Sequence, residues 1–99
     1  MTRTVGIYLF DDIEVLDFAG PFEVFSTASR VKSRLEPNTP KSFEVFTIAD
    51  MIRTISTRGG LIVQPHFDIT SHPRLAYISH LENRIERQDT RWKAWKSRF

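Results

Sequence analysis

The chain has 99 residues and a mass of 11.6 kDa, which predicts a single small domain. Apolar residues make up 40% and charged residues 26%, the balance of a globular protein and not of a disordered one. No apolar run approaches the roughly 20 residues of a membrane span, and the N-terminus lacks the apolar core of a signal peptide, so we expect a cytoplasmic protein without membrane contact. The absence of cysteine excludes disulfides, zinc fingers, iron–sulfur clusters and a thiol nucleophile.

The charge divides the chain into two unequal parts. Residues 1–72 hold seven basic and nine acidic side chains, whereas residues 73–99 hold seven basic and three acidic ones. Both tryptophans lie in the second part and all four glycines in the first. So sharp a change in composition is typical of a linker, an appended segment or an altered reading frame, and we treat the two parts separately.

The first predicted elements are a strand and a helix. Residues 4–10 form a short, nearly continuous apolar run, which predicts a strand buried on both faces, as in parallel sheets. Gly20-Pro21 then predicts a helix start, because proline is tolerated in the first turn. The helix is expected over residues 21–34. Its apolar stripe is predicted to comprise Phe22, Val24, Phe25, Ala28 and Val31.

The following elements are short strands. Residues 43–49 predict a second strand, and residues 52–57 and 61–64 a hairpin whose turn is Arg58-Gly59-Gly60. Residues 73–78 predict one further strand. A strand, a helix and another strand in succession indicate a right-handed crossover, and therefore an α/β fold with a parallel sheet.

Residues 11–25, with the sequence DDIEVLDFAGPFEVF, resemble the N-terminal signature of the ThiJ/PfpI superfamily, which has the class I glutamine amidotransferase-like fold. Within that superfamily the chain is similar to isonitrile hydratases and to the sensor domains of AraC-type transcription regulators. The resemblance covers residues 4–78, because the predicted strands and hairpin have the spacing that the family shows.

The resemblance implies a flavodoxin-like α/β sandwich that forms a homo-oligomer, usually a dimer, and binds a small-molecule ligand. It also implies that Asp17 is a catalytic carboxylate, positioned to hydrogen-bond a cysteine at a strand-to-helix elbow. In isonitrile hydratases the acid and the thiol together add water to an isocyanide and give an N-substituted formamide.

The sequence departs from the family after Ile78. The family continues with a Pro-Gly-Gly turn, a helix, a strand and the cysteine elbow, whereas this chain continues with Ser79-His80-Leu81-Glu82 and ends at Phe99. We therefore expect residues 1–78 to be the N-terminal part of a truncated or frame-altered ThiJ/PfpI-like domain without turnover. Two alternatives stay open: a ligand-sensing fragment of an AraC-type regulator, and a small interaction protein that acts through its tail.

Residues 79–99 predict a basic amphipathic helix that does not match the family. Its apolar side chains recur every three or four residues, and we expect them to bury against the sheet or against a second copy. Contact of this helix with nucleic acid is not expected. The apolar positions are Leu81, Ile85, Trp92, Trp95 and Phe99.

Each site residue also has a purely structural interpretation. Asp17 could cap the helix start, since an acid before Gly-Pro would do so equally well, and both interpretations stay open. Gly59-Gly60 precedes a strand and not a helix, so we expect a turn and no phosphate or other cofactor. No metal site is expected, because a group of four candidate ligands matches no common zinc spacing: His66, Asp68, His72 and His80.

Overall fold

The computed structural model describes residues 2–75 and 77–79. Within them no helix is long and apolar enough to cross a membrane. The elements in chain order are β1 Arg3–Tyr8, α1 Val15–Leu35, β2 Phe43–Ala49, β3 Ile55–Ser56, β4 Ile62–Val63, β5 Phe67–Asp68 and β6 Tyr77–Ser79.

Four of these strands form one parallel sheet, in the order β5-β2-β1-β6. The central strand β1 pairs with β2 along its whole length and with β6 from Val5 to Ile7. The remaining two strands, β3 and β4, form a separate antiparallel hairpin. The predicted α/β fold with a parallel sheet is confirmed.

Strand β1 is buried on both faces of the sheet, as its unbroken apolar run predicted. From Val5 to Tyr8 every residue is buried, and the consecutive side chains of Ile7 and Tyr8 belong to two different clusters. One cluster lies on the face that α1 covers, and the other is closed by the segment leading from β5 to β6. The first comprises Ile7, Leu9, Ile13, Phe18, Ala49 and Ile55, and the second Tyr8, Ile48, Ile69 and Leu75.

Helix α1 begins six residues before the predicted start at Pro21, which is a correction to the sequence analysis. Pro21 lies inside the helix, where it supplies no amide for the carbonyl of Asp17 four residues earlier. Proline at such a position costs about 3 kcal/mol. Phe18 lies in the first turns of α1 and is buried in the core, and this burial offsets the cost of the proline. The sequence pattern around Gly20-Pro21 did not indicate that Phe18 would be buried in a helix.

The predicted apolar stripe of the helix was also partly wrong. The side chains that face the sheet follow Phe18, Phe22 and Ser29, spaced four and seven residues apart. Val24 and Val31 are instead exposed, at 66% and 46%, because they lie on the outer surface of α1. Ser29, a polar residue that the stripe omitted, is 2% exposed and belongs to the inner face.

The hairpin and the last strands correspond to the predictions with shorter bounds. Gly60 adopts a positive φ of 94° in the turn between β3 and β4, as a glycine-rich turn requires. Strand β5 was missed, since its two residues give no alternating pattern, and the strand predicted over residues 73–78 is β6. Of the predicted basic helix, Ser79 ends β6, and residues 80–99 lie outside the described residues.

Candidate functional site

The candidate site lies where the parallel strands end. The carboxyl ends of β1, β2, β5 and β6 share one edge of the sheet, and the chain leaves β1 for β2 on one side while β6 lies on the other. Such a reversal of strand order opens a crevice in which α/β proteins bind ligands. The residues next to this crevice come from the loop between β1 and α1, residues 9–14.

The loop turns sharply at Asp12, whose φ is 72°. Aspartate tolerates this left-handed conformation better than most residues, which explains an acid at this position of the loop after β1. Asp12 donates its backbone N–H to the carbonyl of Ser56 at 2.8 Å, and Ser56 returns an N–H to Oδ1 of Asp11 at 3.1 Å. The β3–β4 hairpin is therefore hydrogen-bonded directly to the loop that follows β1.

Two arginines of the hairpin region neutralise the carboxylates around this loop. Arg53 lies 3.0 Å from Asp11 and 3.4 Å from Asp50, and it thereby joins the ends of β1 and β2. Arg58 lies 3.1 Å from Glu14 and donates its backbone N–H to the carbonyl of Ile13. Sequence reasoning assigned neither arginine to the site. The available signal was the presence of two cations within the predicted hairpin, one in its first strand and one in its turn.

Asp17, the predicted catalytic residue, lies at this same edge in the first turn of α1. It is half-buried, and among the described residues its carboxylate makes no hydrogen bond or ion pair. The alternative interpretation of Asp17 as a helix cap is wrong, because the cap position is Glu14. Glu14 makes no side-chain cap bond, since its carboxylate pairs with Arg58.

Asp68 closes the edge at the end of β5 with a turn of its own. Its Oδ1 accepts hydrogen bonds from the hydroxyl of Thr70 at 2.6 Å, the N–H of Thr70 at 2.8 Å and the hydroxyl of Ser71 at 2.9 Å. These bonds, the Thr70 hydroxyl above all, hold the pKa of Asp68 below its ordinary value, because they stabilise the charged form. The role of Asp68 is therefore to shape a loop.

The structure does not bring together the described candidate metal ligands, which were not expected from the sequence to form a site. His66 accepts the N–H of Thr47 on Nδ1 at 2.9 Å, and Nδ1 of His72 lies 2.8 Å from the carbonyl of Pro73. In the described part of the chain no three histidine, aspartate or glutamate side chains could hold a metal ion. His80 lies outside the described residues.

The described residues form an α/β fold with a parallel sheet and a crossover helix, and this fold is consistent with that of DJ-1/PfpI-like proteins. No family model and no curated protein matches the sequence. The fold assignment rests on solved structures.

Two solved structures share this fold. A candidate transcriptional regulator protein from Vibrio parahaemolyticus matches with a TM-score of 0.69 and 15% identity, over 98% of this chain and 50% of its own. A DJ-1 superfamily protein from Agrobacterium tumefaciens matches with a TM-score of 0.54 and 14% identity, over 97% of this chain and 49% of its own. This chain thus spans about half the length of both. Neither match supports the hydration of isocyanides.

Proposed function

We propose that the chain is part of the ligand-sensing domain of an AraC-type transcription regulator and that it binds a small molecule without converting it. The observation that carries this proposal is the fold match to the candidate regulator from Vibrio parahaemolyticus, which covers 98% of the chain. A sensor domain needs a crevice and a means of transmitting occupancy, but no nucleophile.

The arrangement at the strand ends supports binding over catalysis. Asp11, Glu14 and Asp50 are engaged by Arg53 and Arg58, so their ion pairs hold the loop in place. Asp17 is half-buried and open to a donor group of a ligand. In the isonitrile hydratases that the sequence resembles, addition of water to the isocyanide uses a cysteine thiol, and these 99 residues contain no cysteine.

The hairpin offers a route by which ligand binding could be transmitted. Asp11 and Asp12 both bond to Ser56, so movement of the loop after β1 moves β3 with it. A ligand that contacts this loop would thereby change the position of a surface hairpin. We propose that the hairpin reports the occupancy of the crevice to the rest of the regulator.

The first experiment tests for turnover. The purified chain is incubated with cyclohexyl isocyanide, and N-cyclohexylformamide is quantified by chromatography against buffer alone. We expect no formamide above the buffer rate. Formamide produced in proportion to protein would overturn the sensor proposal and restore the hydratase interpretation.

The second experiment tests the regulator assignment and the site. The genomic reading frame that encodes this chain should also encode a helix-turn-helix pair; an in-frame cysteine elbow instead would contradict the proposal.

A library of small polar metabolites is then screened by amide chemical shifts. A true ligand should shift residues 10–13, and Asp17→Asn should weaken its binding. Glu23→Gln, an exposed acid further along the same helix, is the matched control.

A further inference from the structure

A second concave surface lies away from the strand ends, between α1 and the beginning of β2. It encloses about 690 Å³, a volume typical of small-molecule sites. The strand residues that line it, Phe43 to Phe46, belong to the first half of β2, whereas the crevice described above adjoins the carboxyl ends of the strands. The groove is therefore a separate site, and nothing in the proposed function uses it.

Aromatic side chains give the groove an apolar lining. Phe22 contributes from α1, and Phe43 and Phe46 contribute from β2. The ring of Phe43 is held edge-to-face against Phe25 at a centroid distance of 5.1 Å, and Phe46 packs in the same manner on Phe67. These contacts fix the two rings before any ligand arrives, so binding would order few additional side chains.

The rim of the groove carries an excess of positive charge. Arg30, Arg34 and Lys41 line it, against the single carboxylate of Glu44. Arg30 is already engaged, since it lies 3.3 Å from Glu23. Arg34 and Lys41 make no ion pair with any residue that the structure describes. Two unneutralised cations beside an apolar surface favour an organic anion.

The edge of β2 adds one hydrogen-bonding position. Arg3 and Leu9 of the β1 segment donate to the carbonyls of Ser42 and Ile48, so the odd-numbered residues of β2 direct their backbone groups away from β1. The backbone groups of Phe43 are hydrogen-bonded to the hydroxyl of Ser29, and the backbone groups of Thr47 are hydrogen-bonded to His66. Val45, between them, therefore presents its N–H and C=O to the groove that it lines.

From these features we propose that the groove binds a small aromatic carboxylate. The aromatic body lies against Phe22, Phe43 and Phe46, and Arg34 and Lys41 supply charge-assisted hydrogen bonds to the carboxylate. The N–H of Val45 is a further hydrogen-bond donor for a carboxylate oxygen of the ligand. An extended peptide is disfavoured, because Ser29 and His66 occupy the edge positions on either side of Val45 and leave no continuous ladder for a strand.

The test is a titration of the ¹⁵N-labelled chain with phenylacetate, followed by amide chemical shifts, with phenylacetamide as the neutral analogue. We expect saturable shifts at Phe43 and Val45 with phenylacetate and at least tenfold weaker binding of phenylacetamide. The double variant Arg34→Gln/Lys41→Gln should raise the Kd for phenylacetate about tenfold. The control Lys32→Gln/Arg74→Gln removes the same charge from exposed residues outside the groove and should leave the Kd within twofold.

Several outcomes would overturn the inference. Shifts that do not saturate, equal binding of the neutral amide, or equal effects of the two double variants would each show that the groove does not recognise a carboxylate. Shifts confined to residues 10–13 would place phenylacetate in the crevice at the strand ends. In that case the groove proposal fails while the proposed sensing function stands, so the two are distinguished by which amides respond.

Discussion

The hydroxyl of Ser29 on α1 satisfies both backbone groups of Phe43, the first residue of β2. It donates to the Phe43 carbonyl at 3.1 Å and accepts the Phe43 N–H at 3.3 Å. The Ser29 side chain thereby makes the hydrogen bonds that a neighbouring strand would otherwise make at this end of β2. Ser29 is 2% exposed, so this contact between the helix and the sheet is buried. Serine on the inner face of an amphipathic helix is explained by this pairing.

Ser29→Ala should therefore destabilise the protein by about 1–2 kcal/mol, because it leaves a donor and an acceptor of Phe43 unpaired. The measurement is the free energy of unfolding in urea. Ser33→Ala, on the same helix and also beside the groove, should change stability by less than about 0.5 kcal/mol. Equal effects of the two substitutions would show that the Ser29 bonds contribute nothing.

Two buried threonines should respond to valine with opposite signs. The hydroxyl of Thr57 is buried and has no hydrogen-bond partner in the described part of the chain, so Thr57→Val should be neutral or stabilising by about 1 kcal/mol. Thr47 is also buried, but its hydroxyl accepts the N–H of His66 at 3.1 Å and lies 3.0 Å from Nδ1 of that residue. Thr47→Val should destabilise by about 1–3 kcal/mol. Melting temperatures of both variants check the prediction, and a loss of stability in Thr57→Val would contradict it.

Two glycines should respond to alanine with opposite signs as well. A methyl group on Gly6 would lie 2.8 Å from Cδ1 of both Ile48 and Leu75, and both of these side chains are packed in the core. Gly6→Ala should therefore destabilise by about 1–3 kcal/mol. Gly20 lies inside α1 with open space where a methyl group would be, so Gly20→Ala should stabilise by about 0.5–1 kcal/mol. Urea denaturation of both variants measures the difference, and stabilisation by Gly6→Ala would refute the packing at β1.

The charged form of Asp68 should contribute to stability over a defined pH range. Since its pKa is lowered in the folded protein, the contribution is present above the unfolded value of about 3.9 and is lost as the pH falls through the folded value. Thr70→Val removes the largest cause and should raise the pKa of Asp68. A ¹³C carboxylate titration by NMR measures this shift, with Thr39→Val as a control far from Asp68 in the sequence. An unchanged pKa in Thr70→Val would contradict the assignment.

Most strands could be predicted from the sequence, although β5 was missed, because apolar runs such as that of the buried strand β1 give a direct signal. Residues 43–49 were predicted with the observed bounds, and the hairpin was indicated by Gly59-Gly60. Helix α1 was harder to delimit, since local proline chemistry favours a start at Pro21 while the burial of Phe18 is decided by tertiary contacts. The local preference of proline favours a helix start at Pro21, but the packing of Phe18 in the core determines that α1 begins at Val15.

The candidate site was predictable only in part. The resemblance over residues 11–25 led to Asp17, and the structure places that residue at the carboxyl edge of the sheet. The ion pairs of Arg53 with Asp11 and of Arg58 with Glu14 could not be predicted, because they join residues 42 and 44 positions apart and depend on how the hairpin folds over the loop. The groove beside β2 could not be predicted from the sequence either, because its lining residues come from α1, β2 and His66, which are far apart in the sequence.

The register of β1 has a consequence for how the protein is made. Val5 pairs with Val45 on one side and with Tyr77 on the other, so its nearest partner is 40 residues away. At synthesis rates of about 5–20 residues per second, this buried strand waits about 2–8 seconds for its first neighbour and longer for its second. During this interval β1 has no partner strand, and its apolar side chains are exposed to solvent. Chaperone occupancy and loss to inclusion bodies should therefore depend on the speed of translation between residues 9 and 45.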